Sequence, residues 1–333
     1  MTILSINQLS MDLPSLRGPR RVIHDVTLDV AEGEAVGLAG ESGAGKSMTS
    51  RAVIRLMPKG AVCAGEITAK GESVLTMHDS ALRNYRLHDV AMIFQDPRAA
   101  INPVRRIGDF LIEALVERGE SKSTAIEVVT VLLEKVGIRD APRRLRQYPH
   151  ELSGGLLQRV MIAAALAIQP KLLLADEPTT ALDVTTQSDV MVILDKERRD
   201  RGLAMIFVTH DLELASAVCD RIAVMYAGFL VEDSPAATLH HEALHPYTAA
   251  LLAARPSIDA RERRLVAIPG RPLSAFEVGE GCPFAARCPF AEERCRIERP
   301  LLRKLGAGRV ACHRSEELAG QLDAGKMREN AHG

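Results

Sequence analysis

Short apolar runs bounded by turn residues recur along the chain. EAVGLA at 34–39 runs into a glycine-rich stretch, KLLLA at 171–175 ends in two carboxylates, and RIAVMYAG at 221–228 is followed by FLVED at 229–233. Runs of this length suit strands buried in a sheet. SMTSRAVIRLM, following the glycine-rich stretch, and the Ala-rich segment ending at Ile168 predict helices. Residues 1 to about 90 therefore alternate short strands with one loop and its helix, residues about 96 to 160 are mostly helical, and residues 170 to 235 return to strand-helix alternation. The pattern predicts an α/β fold with an inserted helical subdomain. Ser234 and Pro235 close the last strand, which places the end of the core near residue 240 and makes 241–333 an extension of it. The polar tail LAGQLDAGKMRENAHG at 318–333 reads as frayed.

Composition narrows the partners. The 333 residues carry 42 basic and 43 acidic side chains, mixed throughout, for a net charge of −1, so no basic face exists for duplex nucleic acid. A hydrophobic content of 47% fills real cores. The longest uninterrupted apolar run, Val160 to Ile168, is about half of what a bilayer-spanning helix needs. The start, MTILSINQLSMDLPS, lacks the basic residues and apolar core of a secretory signal, which points to the cytosol. Six cysteines in a reducing compartment suggest metal binding or packing in preference to disulfides.

The glycine-rich stretch carries the first chemistry. Gly40, Glu41, Ser42, Gly43, Ala44, Gly45, Lys46 and Ser47 form a complete G-x-x-x-x-G-K-S, with Met48 continuing into the helix. Glycines let backbone N–H groups turn inward around phosphate oxygens, and the following helix points its positive end at the same place. Lys46 is suited to the β- and γ-phosphates and Ser47 to Mg²⁺. After KLLLA, Asp176 is placed to hold Mg²⁺. Glu177, one step on, is placed to orient or deprotonate an attacking water, which argues for hydrolysis beyond binding.

Ser153, Gly154 and Gly155 lead directly into the Ala-rich helix, a second helix start built to face an anion. One nucleotide does not need two such starts, so the second serves a nucleotide held by a partner subunit. With LSGG at 152–155, the chain resembles the ATP-binding subunits of ABC transporters. The resemblance extends to Gln95 in MIFQDP, to TTALD at 179–183 and to His210 in IFVTHD, all in the family's order. It implies a P-loop NTPase of RecA-like fold and a head-to-tail pair of ATPase subunits sandwiching two ATP molecules. Ser153, Gly154 and Gly155 would then act on the partner's nucleotide. Gln95 and His210 would join Glu177 at the catalytic centre, and Gln95 would join Ser47 and Asp176 at Mg²⁺. Two departures stand out. Leu156 occupies a position often held by Gln or Met, and no aromatic residue precedes Tyr85 to stack on adenine. Arg17, Arg20 or Arg21 offers a flat guanidinium in its place, which predicts weak discrimination between ATP and GTP.

The extension holds HPYTAALLAARP at 245–256, AIPGRP at 267–272, and then Cys282, Cys288, Cys295 and Cys312. This order of segments, with YPHELSGG and ADEPTTALDVTTQ, resembles the dipeptide and oligopeptide permease branch over nearly the full length. In some members of that branch four such cysteines ligate an iron–sulfur cluster. Four thiolates are the usual ligand set of a [4Fe–4S] cluster, and Pro283 and Pro289 each follow a cysteine as in ferredoxin-type runs. Zinc without paired C-x₂-C knuckles, or free thiols in a loop-rich unit, are the alternatives. A cluster there would be structural, because the segment has too few apolar residues for its own core. His313 reads as a bystander, and Cys63 and Cys219 as ordinary buried small residues.

The branch implies an ATPase subunit of a dipeptide or oligopeptide importer, peripheral on the cytoplasmic face of the inner or plasma membrane. Its partners would be two transmembrane permease subunits, a second and different ATPase subunit, and indirectly an extracytoplasmic substrate-binding protein. Gln95, Asp96 and Pro97 would meet the permease. Nickel, glutathione and oligosaccharides are alternative cargoes. A soluble ABC ATPase acting on ribosomes or DNA would usually carry two nucleotide domains or a long coiled coil, and a P-loop kinase would lack the signature.

Overall fold

The computed structural model describes residues 1–179, 182–254 and 268–322. In chain order the strands are β1 (Thr2–Leu13), β2 (Arg20–Ala31), β3 (Ala35–Ala39), β4 (Val62–Ala69), β5 (Glu72–Ser73), β6 (Val90–Ile93), β7 (Leu172–Asp176), β8 (Ala204–Thr209), β9 (Arg221–Tyr226), β10 (Phe229–Pro235), β11 (Arg303–Leu305) and β12 (Gly308–Val310). The helices are α1 (Lys46–Val53), α2 (Asp79–His88), α3 (Pro97–Ala100), α4 (Ile107–Glu117), α5 (Lys122–Lys135), α6 (Ala141–Arg146), α7 (Gly154–Ala167), α8 (Val184–Arg201), α9 (Leu212–Val218), α10 (Pro246–Ala253) and α11 (Glu293–Ile297). The backbone forms two compact units, one of Met1–Leu4, Val30–Glu34 and Ala69–Val208, the other of Ser5–Asp29, Ala35–Thr68 and Thr209 onward.

In the first unit β6, β7 and β8 run parallel, with Val90 opposite Leu172 and Leu172 opposite Ala204. Every residue of β7 is buried, as a strand covered on both faces requires. The predicted helical stretch is α3 to α7. Helices α4, α5 and α7 pack together, and Leu111 and Leu115, Val129 and Leu133, and Leu157 and Val160 are buried on them. Ser121 caps α5 by accepting the Thr124 N–H at 3.1 Å, and Asp183 caps α8 by accepting the Thr186 N–H at 3.0 Å. Arg198, Arg199 and Arg201 sit in the last turn of α8, where cations complement the helix dipole, and Gly202 in the left-handed conformation ends it.

In the second unit β3 pairs in parallel with β9, and β9, β10, β12 and β11 follow as antiparallel neighbours, β12 lying between β10 and β11. Ala227 and Gly228, at φ 47° and 84°, make the two-residue turn between β9 and β10. β12 and β11 come from the extension, which thus adds strands beside β10. The helix after the loop stops at Val53, short of the Met57 that its sequence suggests, because Arg55 adopts a left-handed conformation at φ 51°.

The cysteine segment packs on a core that it does not supply itself. Phe284 is fully buried against Tyr226 of β9 and Tyr247 of α10, with ring centroids 5.4 and 5.2 Å away. It borrows aromatic surface from elements outside its own stretch, which its local composition could not show. Thr180 and Ala181 of TTALD, Arg255 and Pro256, Ala267 and the tail from 323 lie outside the described residues.

Candidate functional site

The loop of the second unit has the backbone its glycines allow. Gly40 sits at φ 144°, and a Cβ there would run into the Met225 carbonyl oxygen of β9. Gly45, at φ 99°, is the left-handed N-cap of α1. Ser42 and Gly43 form the exposed rim, with Gly43 at φ 80°, while Ala44 is buried beneath it. Lys46 is buried with its chain folded back, so that Nζ donates to the Gly40 carbonyl at 2.7 Å and to the Glu41 carbonyl at 3.0 Å. Ser47 and Met48 follow in the first turn of α1. An ammonium on a loop that opens a helix is a cationic cradle suited to phosphate.

The first unit holds the carboxylate pair. Asp176 ends β7 with no exposed surface. Glu177 turns sharply out of the strand at φ 46°, its N–H donating to the Val208 carbonyl at 3.0 Å. A non-glycine residue in that conformation carries strain, which neighbours must hold in place. Gln95 Nε2 donates to Glu177 Oε2 at 3.0 Å, so two residues 82 positions apart meet at one carboxylate. Asp96 caps α3 by accepting the Arg98 N–H at 2.9 Å.

The signature helix start lies in the same unit. Ser153 caps α7, its Oγ accepting the Leu156 N–H at 3.3 Å. Nothing lies within 4 Å of where a Gly154 Cβ would stand, whereas Gly155 faces Thr186 and Leu182. In the second unit His210 is exposed just beyond β8, and the Asp211 N–H donates to Thr209 Oγ1 at 3.0 Å.

Of the three arginines expected to face a base, Arg21 is engaged elsewhere. Its Nε and Nη2 hold Asp12 at 2.9 and 3.1 Å, and the guanidinium lowers the Asp12 carboxyl below its ordinary range. Arg17 is exposed. Arg20 instead stacks on a ring, its guanidinium carbon 4.7 Å from the centroid of Phe276, which is half-exposed. The His24 ring, further along β2, bonds the Ala275 carbonyl at 2.9 Å, and Ala275 packs on Gly228, whose N–H donates to the Ala44 carbonyl of the loop at 3.0 Å. The extension therefore places Ala275, the residue before Phe276, beside the turn that bonds the loop.

Cys282, Cys288, Cys295 and Cys312 line one cavity of about 20 Å³, closed by Phe284, Phe290 and His245 among others. Burial pushes the Cys282 thiol up to about 12 and the Cys288 thiol up to about 11. His245 is fully buried, and burial pushes its imidazole down to about 3, so it is neutral. Its Nδ1 accepts the Tyr247 N–H at 3.0 Å, which leaves the proton on Nε2, an atom with no hydrogen-bond partner. Among the described residues, no group of three or more His, Cys, Asp and Glu side chains already stands at metal-holding spacing. His313 bonds the Glu298 carbonyl at 2.9 Å. Cys219 is buried as its sequence context suggests, but Cys63 is only half-buried, its Sγ 3.1 Å from Met57 Sδ at the start of β4.

Residues 23–180 match the ABC transporter family model, and residues 231–295 match that of the oligopeptide/dipeptide transporter C-terminal region. The oligopeptide transport ATP-binding protein OppD of Salmonella typhimurium is 39% identical over 95% of this chain and 94% of its own. The dipeptide transport ATP-binding protein DppD of Escherichia coli is 41% identical over 96% and 99%. The chain belongs to the ABC transporter family of ATP-binding proteins. A solved ATP-binding cassette of that family, MJ0796 as a dimer bound to ADP and Pi, superposes with a TM-score of 0.62 at 26% identity, over 70% of this chain and 98% of that one.

The ABC transporter match spans the loop, Gln95, the signature and the carboxylate pair; the second spans His245 and three of the four clustered cysteines, stopping short of Cys312. Residue patterns alone do not single out Phe276, His245, Tyr247 or Arg287. The HPY run at 245–247 is visible, but nothing in it announces a partner forty positions downstream. No described helix of this ABC ATPase is long and apolar enough to cross a membrane.

Proposed function

We propose that this ABC ATPase drives an importer of dipeptides or oligopeptides from the cytoplasmic face of the membrane. It would dock on two transmembrane permease subunits, pair with a second, related but different ATPase chain, and be served by an extracytoplasmic binding protein. The observation that carries this reading is a phosphate loop and catalytic carboxylate joined, in one chain, to an extension of the oligopeptide/dipeptide type. The named relatives transport oligopeptides and dipeptides, which supports peptides over nickel, glutathione or oligosaccharide.

In this reading residues 1–240 form the nucleotide-binding domain and 241–333 its extension. Gly40 to Met48 take the phosphates, with Lys46 at the β- and γ-phosphates. Ser47, Asp176 and Gln95 would hold Mg²⁺. Glu177, held by Gln95, orients the attacking water, and His210 completes the centre. Ser153, Gly154 and Gly155 present the start of α7 to the nucleotide of the partner ATPase. Glu177→Gln keeps the geometry and removes the base. In the assembled transporter it is expected to retain bound ATP while losing turnover, and normal hydrolysis by that variant would overturn the assignment.

The four clustered cysteines, in this proposal, hold an iron–sulfur cluster that fixes the fold of the extension. Four thiols with no carboxylate in the lining suit a soft metal centre. The buried Nε2–H of His245 is a donor without a protein acceptor, and a cluster sulfur can accept such a hydrogen bond. The cavity itself is the size of about one water-sized sphere, so the thiols must move apart to admit four irons. Anaerobically purified protein is expected to contain about four irons and four sulfides per chain, lost in Cys288→Ser. Stoichiometric zinc, or no metal, would overturn the cluster and leave the ATPase reading intact.

A further inference from the structure

We propose that Arg287 and Tyr247, both contributed by the C-terminal extension, are positioning residues for the nucleotide loop: together they hold Glu41 so that the loop keeps its phosphate-accepting form. The inference rests on the reading of that loop as a nucleotide site and deepens it.

Glu41 is gripped at three chemically different points. Its carboxylate accepts both Arg287 Nη1 at 2.7 Å and Nη2 at 3.2 Å, a two-pronged pairing that fixes orientation as well as distance. Its backbone N–H donates to Tyr247 Oη at 2.9 Å. Its carbonyl accepts Lys46 Nζ. The first two grips reach across 246 and 206 positions of sequence, and only the third belongs to the loop itself.

The guanidinium is not free to wander. Arg287 is 7% exposed, its Nε donates to the Pro269 carbonyl at 2.8 Å, and its Nη1 also reaches Tyr226 Oη at 3.3 Å. Its carbon lies 5.7 Å from the Tyr226 ring centroid and 5.9 Å from that of Phe284. A buried cation fixed in this way needs an anion, and Glu41 supplies it. Tyr247 is equally fixed, fully buried with its ring 4.6 Å from that of Tyr226.

Two consequences bear on nucleotide. A carboxylate one residue from Gly40, in a loop that takes up a polyanion, repels that anion unless it is neutralised, and Arg287 neutralises it. The Glu41 carbonyl, with that of Gly40, accepts the Lys46 ammonium, so holding the Glu41 peptide in register helps to hold that ammonium in the cradle. Arg287 stands beside Cys288 and Tyr247 two residues after His245, so the thiol cavity and the loop share their supports.

The test is ATP affinity of the full chain, measured by displacement of a fluorescent nucleotide, with the thermal midpoint recorded for each variant. Arg287→Ala is expected to weaken ATP binding about tenfold by leaving the Glu41 carboxylate unpaired. Adding Glu41→Gln to that variant is expected to bring affinity back to within about threefold of the parent, although it restores no contact. Tyr247→Phe, which keeps the ring packing, and Arg287→Lys, which keeps the charge but not the fork, are each expected to weaken binding about threefold. A clamp that merely stabilised the extension would lower the midpoint without any rescue by Glu41→Gln, and that pattern would overturn the proposal. So would parent-like affinity in Arg287→Ala or, should that variant fail to fold, in both Tyr247→Phe and Arg287→Lys. A parent chain that bound no ATP would sink the nucleotide reading itself.

Discussion

Replacing Glu232 tests whether the extension is built onto the core through one buried carboxylate. Glu232 lies on β10 with no exposed surface, and its two oxygens accept the Leu244 N–H at 3.0 Å, the His245 N–H at 2.8 Å and the Ser234 hydroxyl at 2.9 Å. It thereby ties the last core strand to the turn that opens α10. Glu232→Ala leaves one buried amide, one half-buried amide and a buried hydroxyl without their acceptor, at about 1–3 kcal/mol each before water or rearrangement recovers part of the loss. The net expectation is about 3–5 kcal/mol, with Glu232→Gln near half of that because one oxygen remains. Hydrogen exchange read by mass spectrometry is the direct assay. Amides 244 and 245 are expected to exchange at least about 100-fold faster in the alanine variant, and the urea midpoint to fall with them. Unchanged protection at those amides, with an unchanged midpoint, would refute the reasoning.

The same residue sets a pH signature. Burial raises the Glu232 carboxyl above its ordinary value, against the lowering effect of the hydrogen bonds it accepts. Between the ordinary and the raised value the folded chain binds more protons than the unfolded one, so this contribution is fully present below the ordinary glutamate range and is lost as pH rises through the folded value. The stability lead of the parent over Glu232→Gln is therefore expected to be largest in acid and to shrink as pH rises. A lead that grew with pH would show that the hydrogen bonds outweigh burial.

Gly40→Ala drives a Cβ into the Met225 carbonyl and is expected to weaken ATP binding more than about 100-fold, whereas Gly43→Ala, strained but unobstructed, is expected to cost about tenfold; titration with a fluorescent nucleotide separates them. A base gripped by the Arg20 and Phe276 pair would be held by its face and not read at its edges, so ATP and GTP are expected to compete within about threefold, with Phe276→Ala weakening both. A strong ATP preference in competition binding would contradict that.

The parts of the site that depend on neighbouring residues are legible in the sequence. EAVGLA followed by Gly40 to Ser47 marks strand, loop and helix, and the structure has them as β3, the cradle and α1. KLLLADE marks β7 and places its carboxylates at the strand end. What sequence leaves hidden is set by distant chain. Arg287 meets Glu41 across 246 positions, and nothing in CPFAARCPF says that its arginine faces a phosphate loop. Phe276 reads as one more loop residue until Arg20 is found stacked on it. The gathering of cysteines points to a shared site, but not to the tightness of their cavity or to His245 on its wall. The strained turn at Glu177 is equally invisible, because backbone strain at a non-glycine residue is imposed by its surroundings.

The central claim is that ATP turnover by this chain moves peptide across a membrane. Its most direct test is uptake of a labelled dipeptide or oligopeptide by vesicles that hold the chain with the membrane subunits and binding protein proposed for it. MgATP supplied on the chain's side is expected to drive uptake, and Lys46→Ala is expected to abolish both hydrolysis and uptake. Vigorous hydrolysis without peptide uptake, or uptake that persists in Lys46→Ala, would contradict the account.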